Sequence, residues 1–249
     1  MSISIKTARE IEKMRRAGEL LEKVHDELGR AIHPGMSTWE INKLGEEMIR
    51  SFGCTPNFLN YNGYPASICV SVNEEVVHGI PSKKRILKEG DIVSLDAGVI
   101  YKGYHSDAAR THAVGAISPE AQKLIDVTTQ SFFEGIKFAK AGNHLNDISS
   151  AIQAYAESFG YGVVRDLVGH GIGSHLHEEP EVPNFAQKRK GIKLVPGMTL
   201  AVEPMINIGT PNVAWMDDDW TVVTKDHSLS AHYENTILIT EGEPEILSL

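Results

Sequence analysis

Apolar residues in this chain recur first at helical and then at strand spacing, and the order is played twice. From Thr7 to Gly29, Ile11, Met14, Ala17, Leu20, Leu21, Val24 and Leu28 fall at steps of three and four, which lines them along one helix face. Pro34-Gly35 interrupts the run. A second helix follows, capped by Ser37 or Thr38 with Glu40 in its first turn; Ile41, Leu44, Met48 and Phe52 form its buried stripe until Gly53 ends it. Strand-like runs come next, among them Ile92-Val-Ser-Leu95. Ser118-Pro119-Glu120 then opens a third helix, and Gly142 precedes a fourth that stops at Gly160.

A fixed offset of 107 lays the second half on the first: Gly35 on Gly142, Ile41 on Ile148, and Ser51-Phe52-Gly53 on Ser158-Phe159-Gly160. Without a gap, the same offset carries Gly90-Asp-Ile-Val-Ser-Leu-Asp96 onto Gly197-Met-Thr-Leu-Ala-Val-Glu203, so a carboxylate is expected to end each strand. Agreement across two kinds of element points to a duplication. The expected fold is an α/β (α+β) domain with pseudo-two-fold symmetry, its halves spanning roughly residues 7–114 and 115–240. No Pro/Gly/Ser linker divides the chain, so residues 1–249 are read as a single domain.

A charge inside an apolar strand pattern is costly unless it is paired or bound to metal. Asp96, Asp107, Glu203 and Glu234 all interrupt or border such patterns, and His170 sits in the glycine-rich run Gly169-His-Gly-Ile-Gly173. Four carboxylates in one cleft would repel each other, and a pair of divalent cations is their simplest common compensation. Oxygen donors with one imidazole suit Mn, Fe, Co or Zn. The His-Glu-x-x-His pattern of zinc proteases is absent, and Cys54 and Cys69 are too few for a cysteine zinc site or a disulfide framework.

The net charge of −9 disfavours nucleic acid, whose phosphates need clustered Lys and Arg; the densest basic run is only Lys188-Arg-Lys190. No stretch approaches the roughly 18 apolar residues of a membrane span, and Met1 to Glu10 has no secretory apolar core. The cytoplasm is the expected location. Asp217-Asp-Asp219 reads as a solvated turn.

Several stretches taken together resemble type I methionine aminopeptidases: Asn73-Glu-Glu-Val-Val-His-Gly-Ile-Pro81, Ser94-Leu-Asp-Ala-Gly98, Gly169-His-Gly-Ile-Gly173, His177-Glu-Glu-Pro180, Glu203-Pro204 and Ser230-Ala-His-Tyr-Glu-Asn-Thr236. The resemblance implies the duplicated pita-bread fold, an antiparallel-rich sheet backed by two helix pairs. It also implies two divalent metal ions (Co, Mn, Fe or Zn) on Asp96, Asp107, His170, Glu203 and Glu234. Glu203 would be the general base, with His78 and His177 at the scissile bond. Tyr61, Tyr64, Cys69 and Trp220 would wall the methionine pocket, where Phe58 and Leu176 depart from the family pattern. His177 is selected over His175. The implied activity is removal of the initiator methionine when residue two is small. Nascent polypeptide N-termini are then the partners, the ribosome is a candidate docking site, and a monomer is expected.

Two other readings come with the same fold. An X-Pro-directed peptidase usually carries a large N-terminal domain, whereas the first helix here begins by about residue 7. A non-catalytic binding module would have lost ligand positions, and all five are intact. The 33 residues from His170 to Glu203 leave no room for the insertion of type II enzymes.

Overall fold

In the computed structural model, residues 3–249 are described; Met1 and Ser2 lie outside them. Four long helices form where the periodicity places them: α1 (Ala8–Ala31), α2 (Thr38–Ser51), α3 (Pro119–Ile136) and α4 (Leu145–Glu157). Their starts are chemically specified. Thr7 and Ser37 close capping boxes with Glu10 and Glu40, Ser118 caps α3 ahead of Pro119, and Asp147 accepts the His144 N–H at α4.

The helices lie against an antiparallel sheet ordered Thr55–Pro56, Ile92–Tyr101, Tyr104–Ala113, Glu234–Leu238, Thr199–Val202, Gly169–Gly171, Glu178–Val182. Side chains alternate across its two faces. Val93, Leu95, Ala97, Val99 and Ala108 point to α1 and α2 and pack with Leu21, Val24, Leu28 and Ile41. Leu200, Val202 and Ile237 point to α3 and α4 and pack with Phe132, Ile148 and Ile152. Each fully buried Leu or Ile of these layers contributes about 2 kcal/mol through removal from water. The opposite face is left for polar residues.

The duplication is visible in the backbone. Gly35 and Leu87 exchange turn hydrogen bonds (Gly35 N–H to Leu87 O, Leu87 N–H to Met36 O), and 107 residues later Gly142 and Leu194 make the same pair with Asn143 in place of Met36. The bridge Ser37–Ile86 recurs as His144–Lys193. Gly35 and Gly142 both have positive φ, 92° and 95°, where a Cβ would be strained. Packing between the helices is duplicated with its bulk exchanged. In the first pair Leu28 of α1, beside Ile68 of the sheet, lies over Gly45 of α2; in the second, the equivalent positions are Gly135 of α3 beneath Ile152 of α4.

Asp96 departs from expectation. Its strand does not end there but runs from Ile92 to Tyr101, turns through Lys102-Gly103 with positive φ at both residues, and returns as Tyr104–Ala113. Asp96 is therefore mid-strand. Only Glu203 ends its strand, Thr199–Val202, ahead of Pro204.

Candidate metal centre

Strand register alone gathers the carboxylates. Asp96 is paired with Ala109, and Ala109 with Glu234, so both acidic side chains point to the face away from the helices. Asp107 is two residues from Ala109 and shares that face. Asn235 pairs with Val202, which carries Glu203 to the position opposite Glu234, and His170 pairs with Ala201 on the same face. One face of one sheet thus presents all five expected donors.

They line the floor of a cleft open to solvent. Its walls include Phe58, Tyr61, Tyr64, Cys69, Leu176 and Trp220, and His78 and His177 also border it. Every residue expected at the site is therefore brought together, including both departures from the family pattern. Tyr64 packs edge-on against Trp220 with ring centres 5.1 Å apart, and its hydroxyl donates to the Gly79 carbonyl at 2.8 Å. Trp220 is held by Asp218, which accepts the backbone N–H groups of Trp220 and Thr221; the acidic run at residues 217–219 is a turn, as read from the sequence. His177 stands at the mouth with Nδ1 2.8 Å from the Tyr61 hydroxyl, whereas the His175 side chain is 81% exposed and turned away. The loop is pinned by Glu178, which takes the Lys6 ammonium at 2.6 Å and the His175 N–H at 3.1 Å.

The donor set fits divalent ions. Asp96 Oδ1, Asp107 Oδ1 and Glu234 Oε1 are buried without a hydrogen-bond partner among the described residues, an arrangement native cores avoid unless something else is bound there. His170 Nδ1 lies 2.8 Å from the Gly171 carbonyl, so the proton belongs on Nδ1 and the bare Nε2 faces Asp107 and Glu203 at 4.0 and 3.7 Å. Asp107, His170 and Glu234 bring donor atoms within 4.8 Å of one another.

Electrostatics agree. Burial raises Asp96 to about 7, and burial followed by mutual repulsion lifts Asp107, Glu203 and Glu234 well above the usual carboxylate range. The imidazoles offer no balancing charge, since burial depresses His78 to about 4 and His170 and His232 to about 3. Divalent cations would supply the missing positive charge and return the carboxylates to their ionised forms.

Some participants were not read from the sequence. Lys6, and the hydrogen bond that joins the expected Tyr61 to His177, depend on partners 172 and 116 residues away, which no local pattern reveals. Asn184, whose amide donates to the Glu203 carbonyl at 3.0 Å, also lacked a signal. His232 had one: it stands two residues before Glu234 in a strand-like run.

The sequence matches the model of metallopeptidase family M24 over residues 12–241. It is 56% identical over 247 residues to a methionine aminopeptidase of Clostridium acetobutylicum, covering 99% of each chain. To that of Escherichia coli K12 it is 42% identical over 250 residues, covering 100% of this chain and 95% of the relative. The crystal structure of methionine aminopeptidase from Thermotoga maritima superposes with a TM-score of 0.97 at 46% identity, over 99% of both chains. The Xaa-Pro dipeptidase from Bacillus anthracis gives 0.79 at 28% identity, with 61% of its length covered. Fold, donor set and these likenesses converge on one statement: the chain belongs to metallopeptidase family M24.

Proposed function

We propose that this chain is a dinuclear metal-dependent aminopeptidase that removes the initiator methionine from new polypeptides whose second residue is small. The observation that carries the reading is the convergence of four carboxylates and an imidazole beneath an apolar-walled cleft bordered by two further histidines. Relatives named methionine aminopeptidase that match over nearly their whole length support it.

Asp96, Asp107, His170, Glu203 and Glu234 would hold two ions, of Co, Mn, Fe or Zn. Bound there, divalent ions lower the pKa of a water and polarise the scissile carbonyl. Glu203 accepts the proton of the attacking water and passes it to the leaving amine. With the Tyr61 hydroxyl donating to Nδ1, His177 carries its proton on Nε2 and offers it to the developing oxyanion. His78 orients the peptide from the other wall. Tyr61, Tyr64, Cys69 and Trp220 receive the methionine side chain, whose unbranched thioether follows a narrow apolar path lined by aromatic rings and sulfur.

The whole chain works as one catalytic domain in this reading, as a monomer in the cytoplasm, meeting nascent N-termini at the ribosome. No described helix is long and apolar enough to cross a membrane. Both cysteines are buried free thiols, in keeping with a reducing compartment.

Release of free methionine from Met-Ala-Ser tests the proposal. It should cease in excess chelator and return when one of the four metals is added; no release with any of them overturns the reading. Within the cleft, His177→Ala should lower turnover by about 10²-fold with metal stoichiometry unchanged, because it removes a donor to the transition state. His175→Ala should leave turnover near wild type, its ring being in solvent. The reverse order of damage in steady-state kinetics would mean that the wrong face of this loop is in use.

A further inference from the structure

We propose that His232 is a sixth protein donor of the metal centre, a second imidazole beside that of His170. The inference rests on the dinuclear reading above and extends its ligand set.

His232 closes the polar face from the side opposite His170. Its side chain is 2% exposed, and Nε2 lies 3.8 Å from Glu203 Oε2 and 4.0 Å from Glu234 Oε2. His170 Nε2 lies 3.7 Å from the other oxygen of Glu203 and 4.0 Å from Asp107 Oδ2. The two rings therefore flank one carboxylate and reach a second at matching distances. Hydrogen bonds from nitrogen to oxygen span about 2.7–3.2 Å, which these separations exceed. Two donors on one ion, each about 2.0–2.2 Å from it, stand about 3–4 Å apart. The observed spacing is that of shared coordination.

Neither nitrogen of His232 has a hydrogen-bond partner among the described residues. For a fully buried imidazole this is a defect unless a further group occupies the space between it and the carboxylates. Nor is the ring free to turn its back on the site by backbone movement. The His232 N–H donates to Thr111 Oγ1 and its carbonyl accepts the same hydroxyl, both at 2.9 Å, while its strand pairs with Met205.

Beside Asp96, two close groups of donors share Glu234. Asp107, His170 and Glu234 form one; Glu203, His232 and Glu234 form the other, and in each the donor atoms lie within 4.8 Å of one another. Glu234 belongs to both groups, and each group contains one imidazole.

Proton NMR of the protein titrated with Co(II) alone reads this directly, because the paramagnetic ion shifts ring protons of coordinated histidines far outside the ordinary range. Histidine-selective isotope labelling identifies them. The fully loaded wild type should show two such histidines, and His232→Gln should lose one. Calorimetry should show one of the two equivalents of Co(II) binding at least about tenfold more weakly in that variant. A single shifted histidine in the loaded wild type would overturn the proposal, even if the variant failed to fold, and would leave His232 an uncoordinated neighbour of Glu203. Failure of the wild type to take up Co(II) would instead remove the dinuclear reading itself.

Discussion

Glu203→Gln is expected to lower kcat for methionine release from Met-Ala-Ser by about 10²–10⁴-fold while leaving the fold intact. The amide is nearly isosteric with the carboxylate, so packing around Pro204 and the hydrogen bond from Asn184 to the residue 203 carbonyl should persist. What is lost is the proton acceptor and a negative donor between His170 and His232. A purely structural role predicts a different pattern. Burial and the neighbouring Asp96 and Asp107 make the ionised Glu203 unfavourable in the metal-free protein, so the neutral amide should unfold at the same temperature as wild type or a higher one. Turnover within tenfold of wild type at saturating metal would remove Glu203 from the chemistry, and a lowered unfolding temperature would point to a structural loss.

The second large effect concerns the substrate. Peptides beginning Met-Ala or Met-Ser should be cleaved about 10²-fold or more faster than Met-Lys or Met-Leu, compared as kcat/KM. If the terminal amine and first carbonyl both sit over the donor cluster, the side chain of residue two is brought to the rim, where His177 and Tyr61 are already joined by a hydrogen bond. A long side chain must displace that pair, whereas Gly, Ala and Ser leave it in place, and Met-Pro remains a substrate because its ring is compact. Leucine as the first residue should be poor, since a branched Cδ cannot follow the pocket between Tyr64, Cys69 and Trp220. A peptide library read by mass spectrometry compares both positions together. Equal rates for Met-Lys and Met-Ala would reject the steric argument, and cleavage governed by proline at the second position, whatever the first, would move the chain to the X-Pro branch.

The sequence was most informative where a signal is local or repeated. Helix caps at Thr7, Ser37 and Ser118 are written within four residues of where they act, and the offset of 107 lays Glu203 on Asp96 without any knowledge of strand pairing. Asp96 was misplaced at a strand end because Asp-Ala-Gly98 breaks the apolar run. The strand in fact continues, with Gly98 so close to Asn57 that a Cβ would lie 2.4 Å from its amide nitrogen. The small residue reflects a neighbour 41 positions earlier, which periodicity does not register. For the same reason, the Lys6–Glu178 ion pair and the Tyr61–His177 hydrogen bond were not legible: each joins segments whose proximity is created only when the sheet has assembled.

The opposite placement of bulk in the two helix pairs bears on how a duplicated chain keeps its halves apart. Were α1 to dock on α4, Leu28 would meet Ile152 where the fold provides room for one large side chain; were α3 to dock on α2, Gly135 would leave unfilled the part of the Gly45 surface that Leu28 covers beside Ile68. Both mispairings are penalised, the first by collision and the second by lost packing. A repeat that kept identical residues at these positions would let either half accept the other's helix, or that of a second molecule. By exchanging glycine for a branched residue on opposite partners, each half retains a shape that only its own helix fits, and the ancestral symmetry survives in the backbone while being cancelled in the side chains.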